Sequence, residues 1–139
     1  MIPEALPALI RRFEGLRLRA YLCPAGVPTI GYGATGPDVK LGQTWTAQRA
    51  EVRMQNDATV HCVAALKFCP GLAGDRWAAV ADFSYNLGAT RLKGSTLRRK
   101  INAGDMLGAR SELAKWVRGG GRVLPGLVLR RAAEAALLK

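Results

Sequence analysis

A carboxyl, a thiol and a hydroxyl lie close together in one glycine-punctuated stretch, FEGLRLRAYLCPAGVPTIGYG, at residues 13 to 33. They belong to Glu14, Cys23 and Thr29, with eight residues between the first two and five between the last two. Cleavage of a glycosidic bond needs a protonated acid at the leaving oxygen. For inversion it also needs a water on the opposite face of the sugar, the two groups standing roughly 6.5–9.5 Å apart. Sequence neighbours cannot straddle a sugar ring, whereas a helix end and a strand returning from a hairpin can. The acid must be protonated when it acts, so a partly desolvated seat is expected for Glu14.

The surrounding pattern supplies both supports. Leu6, Leu9, Ile10 and Phe13 follow three- and four-residue steps, Pro3 suits a first turn and Gly15 stops the run, which predicts a short helix ending at Glu14. Leu16, Leu18 and Ala20 alternate with Arg17, Arg19 and Tyr21, the period of a strand with one covered face. Pro24, Gly26 and Pro28 mark a turn, and residues 29 to 33 read as the returning strand. Gly31 and Gly33 leave room for a close backbone approach. Arg17 and Arg19 are expected to depress the Cys23 thiol, whose unperturbed pKa lies near 8.5. Three roles stand open for Cys23: a thiolate base or nucleophile, a neutral group that helps hold water, or a small buried hydrophobe.

The rest of the chain reads as helices. Thr46 caps one running to about Leu66, with Ala50, Met54, Ala58, Cys62 and Leu66 along one face. Asp75 is placed to cap a helix carrying Trp77, Val80, Ala81 and Leu87, and Ser95 to cap another reaching Ile101. Asp105 starts a helix through Trp116, Gly119-Gly120-Gly121 breaks the chain, and Pro125 opens a last helix ending near Leu138. Trp77 and Trp116 sit among apolar residues at helical spacing and are assigned to the core. Cys62 and Cys69 either stay free or form a bridge. A regular helix over that interval would hold their Cα atoms about 10 Å apart, too far for a disulfide, unless the chain folds back at Pro70-Gly71. Pairing of Cys23 with either thiol would block the site.

The 139 residues suffice for one core. Formal net charge is +11, and residues 91 to 139 carry twelve Lys or Arg against Asp105, Glu112 and Glu134. Such a surface draws polyanions: cell-wall polymers, lipopolysaccharide phosphates, lipid head groups or nucleic acid. There is no zinc-finger spacing, aromatic-rich strand pair or recognition-helix motif, which argues against specific nucleic-acid recognition. No ligand cluster or phosphate loop points to a metal or an organic cofactor. No stretch reaches the length of a membrane span and the start lacks a secretory apolar region, so synthesis in the cytosol is expected.

The Glu14, Cys23 and Thr29 stretch is followed by FSYNLG at 83 to 88, GSTLRRKINAGD at 94 to 105 and KWVRGGGRVLPGLVLRRAAE at 115 to 134. In that order the blocks resemble the bacteriophage lysozymes, or endolysins, of glycoside hydrolase family 24, in which Glu, then Asp or Cys, then Thr occur at this spacing. The resemblance implies an α+β, lysozyme-like fold in one domain over 1–139. It would be mostly helical, with a small N-terminal β-hairpin lobe at about 15–45 and a helical lobe at about 46–139 that includes the first helix. It implies hydrolysis of the β-1,4 bond between N-acetylmuramic acid and N-acetylglucosamine by a monomeric bacteriolytic muramidase. Glu14 would be the general acid, and Cys23 and Thr29 would stand on the water side. Thr35, Tyr85, Thr96 and Glu112 fall at cleft-lining, substrate-binding positions. The enzyme would work without metal or cofactor and would reach the peptidoglycan through a holin. Where many relatives have His after the second strand this chain has Ala34, so a polar contact fixing the hairpin lobe is expected to be missing. Two alternatives remain: a lytic transglycosylase acting on the same bond, and a non-enzymatic cationic protein binding the envelope or nucleic acid.

Overall fold

The apolar steps before Glu14 form helix α1 (Leu6–Glu14) in the computed structural model, which describes residues 1–139. Gly15, at φ 69°, ends it with its amide donated to the Arg11 carbonyl. Antiparallel strands β1 (Arg17–Leu22) and β2 (Pro28–Gly31) follow, pairing Arg17 with Gly31 and Tyr21 with Thr29 around an irregularity between Arg17 and Tyr21. The alternation on β1 does not produce a covered face: Leu16 and Leu18 are exposed. A two-stranded ribbon has little above it to bury them, and the apolar weight falls on β2 instead, where Thr29, Ile30 and Gly31 are buried.

Five helices and a second hairpin build the body before the last helix. Helix α2 (Ala47–Phe68) is capped by the Thr46 hydroxyl, which accepts from the Arg49 amide at 3.1 Å. Helices α3 (Gly74–Leu87) and α4 (Ala89–Lys93) are separated by Gly88 at φ 95°. α5 (Thr96–Asn102) and α6 (Met106–Leu113) are capped by the side chains of Ser95 and Asp105. Strands β3 (Arg118–Gly119) and β4 (Arg122–Val123) and helix α7 (Pro125–Leu137) complete the chain.

Three further expectations change, and one helix went unforeseen. Asp75 is not a cap: Ala73 holds that position and Asp75 lies in the first turn, where its charge suits the positive helix end. α6 stops at Leu113, leaving Trp116 to pack edge-on against Phe83 at 5.4 Å. Gly120 and Gly121 make a two-residue hairpin turn rather than a simple break, since both have positive φ (60° and 80°) as such turns require. The short α4 carried too few residues to show a period.

The main apolar cluster gathers Leu6 and Ile10 of α1, Met54, Ala58 and Cys62 of α2, Ala78 to Ala81 and Phe83 of α3, and Leu92, Leu97, Leu113 and Leu138. A smaller cluster of Ile30, Ala34, Val39, Trp45 and Ala50 lies under the first hairpin. α2 serves both, through Ala50 in one and Met54 onward in the other. Because α2 runs as regular helix to Phe68, Cys62 and Cys69 stay apart, and all three cysteines are free.

Candidate active site

Glu14 closes α1 with its side chain only 20 % exposed. It does not sit in an apolar seat: Oε2 accepts from Nη1 of Arg130 at 2.6 Å. Arg130 is buried on α7 and donates Nε and Nη2 to the two oxygens of the fully buried Asp82 on α3, at 2.9 and 2.8 Å. Three elements distant in sequence thus fix one carboxyl. Left to burial, Asp82 would titrate high, but its bonds to Arg130 and Glu134 and the charges of Arg130 and Arg131 hold it below the usual carboxylate value. Glu134 goes the other way: burial, with Asp82 beside it, keeps it protonated well above the ordinary range. Arg131 donates Nη2 to Asn86 and to Glu134 at 2.8 and 2.9 Å, while its Nε lies 2.8 Å from Glu134 Oε1 without hydrogen-bond alignment.

Gly33 holds the other flank of Glu14. A Cβ at that position would stand 2.6 Å from Glu14 Oε1, and the backbone has φ 79°, so both space and conformation call for glycine. Tyr85 on α3 donates its hydroxyl to the Tyr32 carbonyl at 2.6 Å, tying the same turn to the helical body. Burial first, then the nearby charge of Glu14, raises the Tyr85 phenol, so it stays a donor. Gly33, Thr35, Arg53, Asp57, His61 and Tyr85 line a polar pocket of about 190 Å³ that adjoins the Glu14 seat at Gly33. His61 Nδ1 lies 2.7 Å from the Ser84 hydroxyl, and burial lowers its pKa against the pull of Asp57, leaving the ring neutral at pH 7.

On the hairpin, Thr29 is buried and donates its hydroxyl to the Val27 carbonyl at 2.9 Å, which leaves the oxygen's lone pairs to accept. Cys23 is half-buried at the β1 end. Its thiol is lowered from the ordinary value chiefly by the Val27 amide, with the Ala25 amide, the Thr29 hydroxyl and the Gly26 amide adding to it. This corrects the expected cause. Arg17 stacks over the Tyr21 ring at 4.5 Å, and neither it nor Arg19 is among the groups that shift the sulfur.

Of the four further positions, Thr35 and Tyr85 meet in the pocket beside Glu14, although the Tyr85 hydroxyl is already spent on Tyr32. Thr96 opens α5 and accepts from Arg99 Nη2 at 2.8 Å, and Glu112 on α6 pairs with Lys115 at 2.8 Å. No hydrogen bond ties either of these to Glu14, Cys23 or Thr29. The polar contact expected to be lost with Ala34 is supplied from elsewhere, because Arg53 of α2 reaches the segment after β2 and donates to the Thr35 carbonyl at 2.6 Å and to Asp38 at 2.7 Å. Arg130, Asp82 and Arg53 were not singled out from the sequence. The available signal was the charged run Arg130-Arg131 with Glu134, placed at helical spacing where a core face should lie.

A helix-end carboxyl set against the turn that leaves a hairpin, on a helical body with a small antiparallel sheet, is the arrangement of a lysozyme-like glycosidase. The family model described as Phage lysozyme matches residues 11–134, and the chain belongs to that family. It is 40 % identical over 143 residues to the endolysin of Acyrthosiphon pisum secondary endosymbiont phage 1, spanning 99 % of this chain and 97 % of that protein. Its fold is similar to the muramidase domain of SpmX from Asticaccaulis excentricus (TM-score 0.89, 30 % identity, 99 % and 97 % of the two chains). It is also similar to the endolysin from Escherichia coli O157:H7 phage FAHEc1 (TM-score 0.88, 32 % identity, 99 % and 92 %).

Proposed function

We propose that this glycosidase of the phage lysozyme family is a peptidoglycan-degrading endolysin that hydrolyses the β-1,4 bond between N-acetylmuramic acid and N-acetylglucosamine. The observation that carries the reading is the seat of Glu14, gripped by Arg130 and backed by Gly33, which also lines a polar pocket. Glu14 protonates the bridging oxygen. As the proton leaves, the carboxylate that forms is met by a guanidinium already in place, which costs no reorganisation at that moment. Thr29, with an acceptor oxygen free, and Cys23, with its thiol drawn toward the thiolate, hold and polarise the attacking water from the hairpin. Thr35 and Tyr85 shape the sugar site beside the acid, and Thr96 and Glu112 extend it along the helical lobe.

The basic surface takes a second part in this reading. Of the twelve Lys and Arg in residues 91 to 139, Arg130 and Arg131 are buried among carboxyls, and the remainder supports attraction to anionic envelope polymers or lipopolysaccharide. No helix is long and apolar enough to cross a membrane, and a holin-made opening is the route to the wall in this reading.

Glu14→Gln keeps the shape of the side chain and removes the proton donor. Lysis of outer-membrane-stripped cells should fall about a thousandfold, within the span ascribed to general acid catalysis. Full lysis by that variant would leave only a cationic, non-enzymatic action. Mass spectrometry of the muropeptides then decides the chemistry: reducing muramic ends are expected, and 1,6-anhydro ends, lighter by one water, would make the protein a transglycosylase.

A further inference from the structure

The segment that follows β2 forms one lip of the pocket through Thr35, yet no backbone hydrogen bond joins residues 35 to 38 to the helical body. Its own bonds are local: the Ile30 and Ala34 backbones bond each other at 3.0 and 2.8 Å, and Val39 N reaches Gly36 O at 3.0 Å. One side chain spans the gap. Arg53 uses Nε on both oxygens of Asp57, one turn along its own helix, at 3.1 and 3.0 Å. The remaining nitrogens reach across, Nη1 to Asp38 Oδ2 at 2.7 Å and Nη2 to the Thr35 carbonyl at 2.6 Å. The guanidinium also lies 5.8 Å from the Trp45 ring, whose face Arg49 covers at 4.7 Å.

We infer that Arg53 is a positioning residue, a latch by which α2 fixes the 35–38 lip and so sets the width of the sugar pocket next to Glu14. The inference rests on the muramidase reading for its effect on catalysis, and on geometry alone for the latch. A planar fork with donors on three nitrogens can hold a carboxylate behind it, and a carboxylate and a carbonyl in front, at the same time; a lysine ammonium has neither the span nor the fixed directions. The lip is shaped to the fork. Gly36 has φ 126°, and a Cβ there would meet Asp38 Oδ1 at 3.2 Å and Arg53 Nη2 at 3.6 Å. Asp57 anchors the fork from behind and is itself 32 % exposed, so the latch works at the solvent edge, where single bonds decide whether a loop is open or shut.

The test compares wild-type protein, Arg53→Gln and Arg53→Lys by kinetics on purified peptidoglycan sacculi and by amide hydrogen exchange. Both variants should raise KM about tenfold, the worth of one charge-assisted contact, with kcat within about threefold of wild type. Exchange at the Ala34 and Val39 amides should quicken about tenfold, while the amides of Ala79 to Phe83 in α3 keep their protection. Asp38→Asn, which weakens the front contact and leaves α2 untouched, should show a smaller change of the same pattern. The latch is overturned if Arg53→Gln leaves both KM and lip exchange unchanged, if Arg53→Lys restores both, or if exchange rises equally in α3, which would mark general destabilisation. Should the wild-type protein release no muropeptides, the muramidase reading fails while the exchange pattern still judges the latch.

Discussion

The two walls of the candidate cleft are built on opposite plans. The Glu14 wall reaches into the interior: part-exposed Glu14 leads to buried Arg130, Asp82, Arg131 and Glu134 in one network of carboxyls and guanidiniums joining α1, α3 and α7. Helix α7 turns Arg130, Arg131 and Glu134 inward and leaves Val128 and Leu129 exposed, the reverse of an ordinary amphipathic helix. The hairpin wall is a two-stranded ribbon with Leu16, Leu18, Leu22 and Val27 exposed, standing on a five-residue cluster. Its groups are tuned by their own turn, through the Val27 amide at Cys23 and the Val27 carbonyl at Thr29. The difference teaches where precision is invested. Charge that must be placed to fractions of an ångström is held by a dry network that cannot rearrange cheaply, whereas the wall that admits a polymer is light and tied by Tyr85 and Arg53.

Removing one member of the buried chain should hurt most. Asp82→Ala leaves Arg130 charged in the interior with half its partners gone, and equilibrium unfolding should show a loss of about 3–5 kcal/mol, with activity falling as Glu14 loses its grip. A loss below about 1 kcal/mol would mean that the network does not depend on Asp82. Next comes the seam between the walls. Gly33→Ala forces a methyl against the Glu14 carboxyl and strains a backbone at φ 79°, so kcat should fall about tenfold to a hundredfold with a smaller change in KM. Unchanged kcat would show that Glu14 tolerates displacement.

The smallest effect separates the cysteines. Cys23 ionises below the ordinary thiol value, so at pH 7 it holds more thiolate than a free cysteine and should alkylate first. Burial pushes Cys62 up to about 11 and also raises Cys69, and both are buried in the main core, so neither should react in the folded protein. The pH profile of labelling at Cys23 should inflect below that of a model thiol and should not move in Arg17→Ala, because the turn amides and not the strand arginines set it. An inflection at or above the model thiol, or a shift in the Arg17 variant, would return the tuning to side chains.

Local physics made much of this legible. The apolar steps into Glu14, the Pro-Gly turn at 24 to 28 and the caps at Thr46, Ser95 and Asp105 are each decided within a few residues, and each appears at its expected place. The misses have equally local causes. Ala73 rather than Asp75 stands at the N-cap of α3, two residues earlier than expected, and offers no side-chain bond there, so no capping signal marked it. The covered face expected on β1 needed a second layer that two strands do not provide. Arg53 and Arg130 escaped notice because an arginine on a helix is, by base expectation, solvated.

What the sequence determined alone is the order of elements and the placing of a candidate acid at the end of the first helix, since helix periodicity, turn chemistry and caps depend only on neighbours along the chain. Which side chains would grip that acid and latch the lip was decided by tertiary structure: Glu14 and Arg130 stand 116 residues apart, and Thr35 and Arg53 stand 18 apart. Whether an arginine meets water or a carboxyl depends on what packs over it, and that is settled only when the helices close on one another.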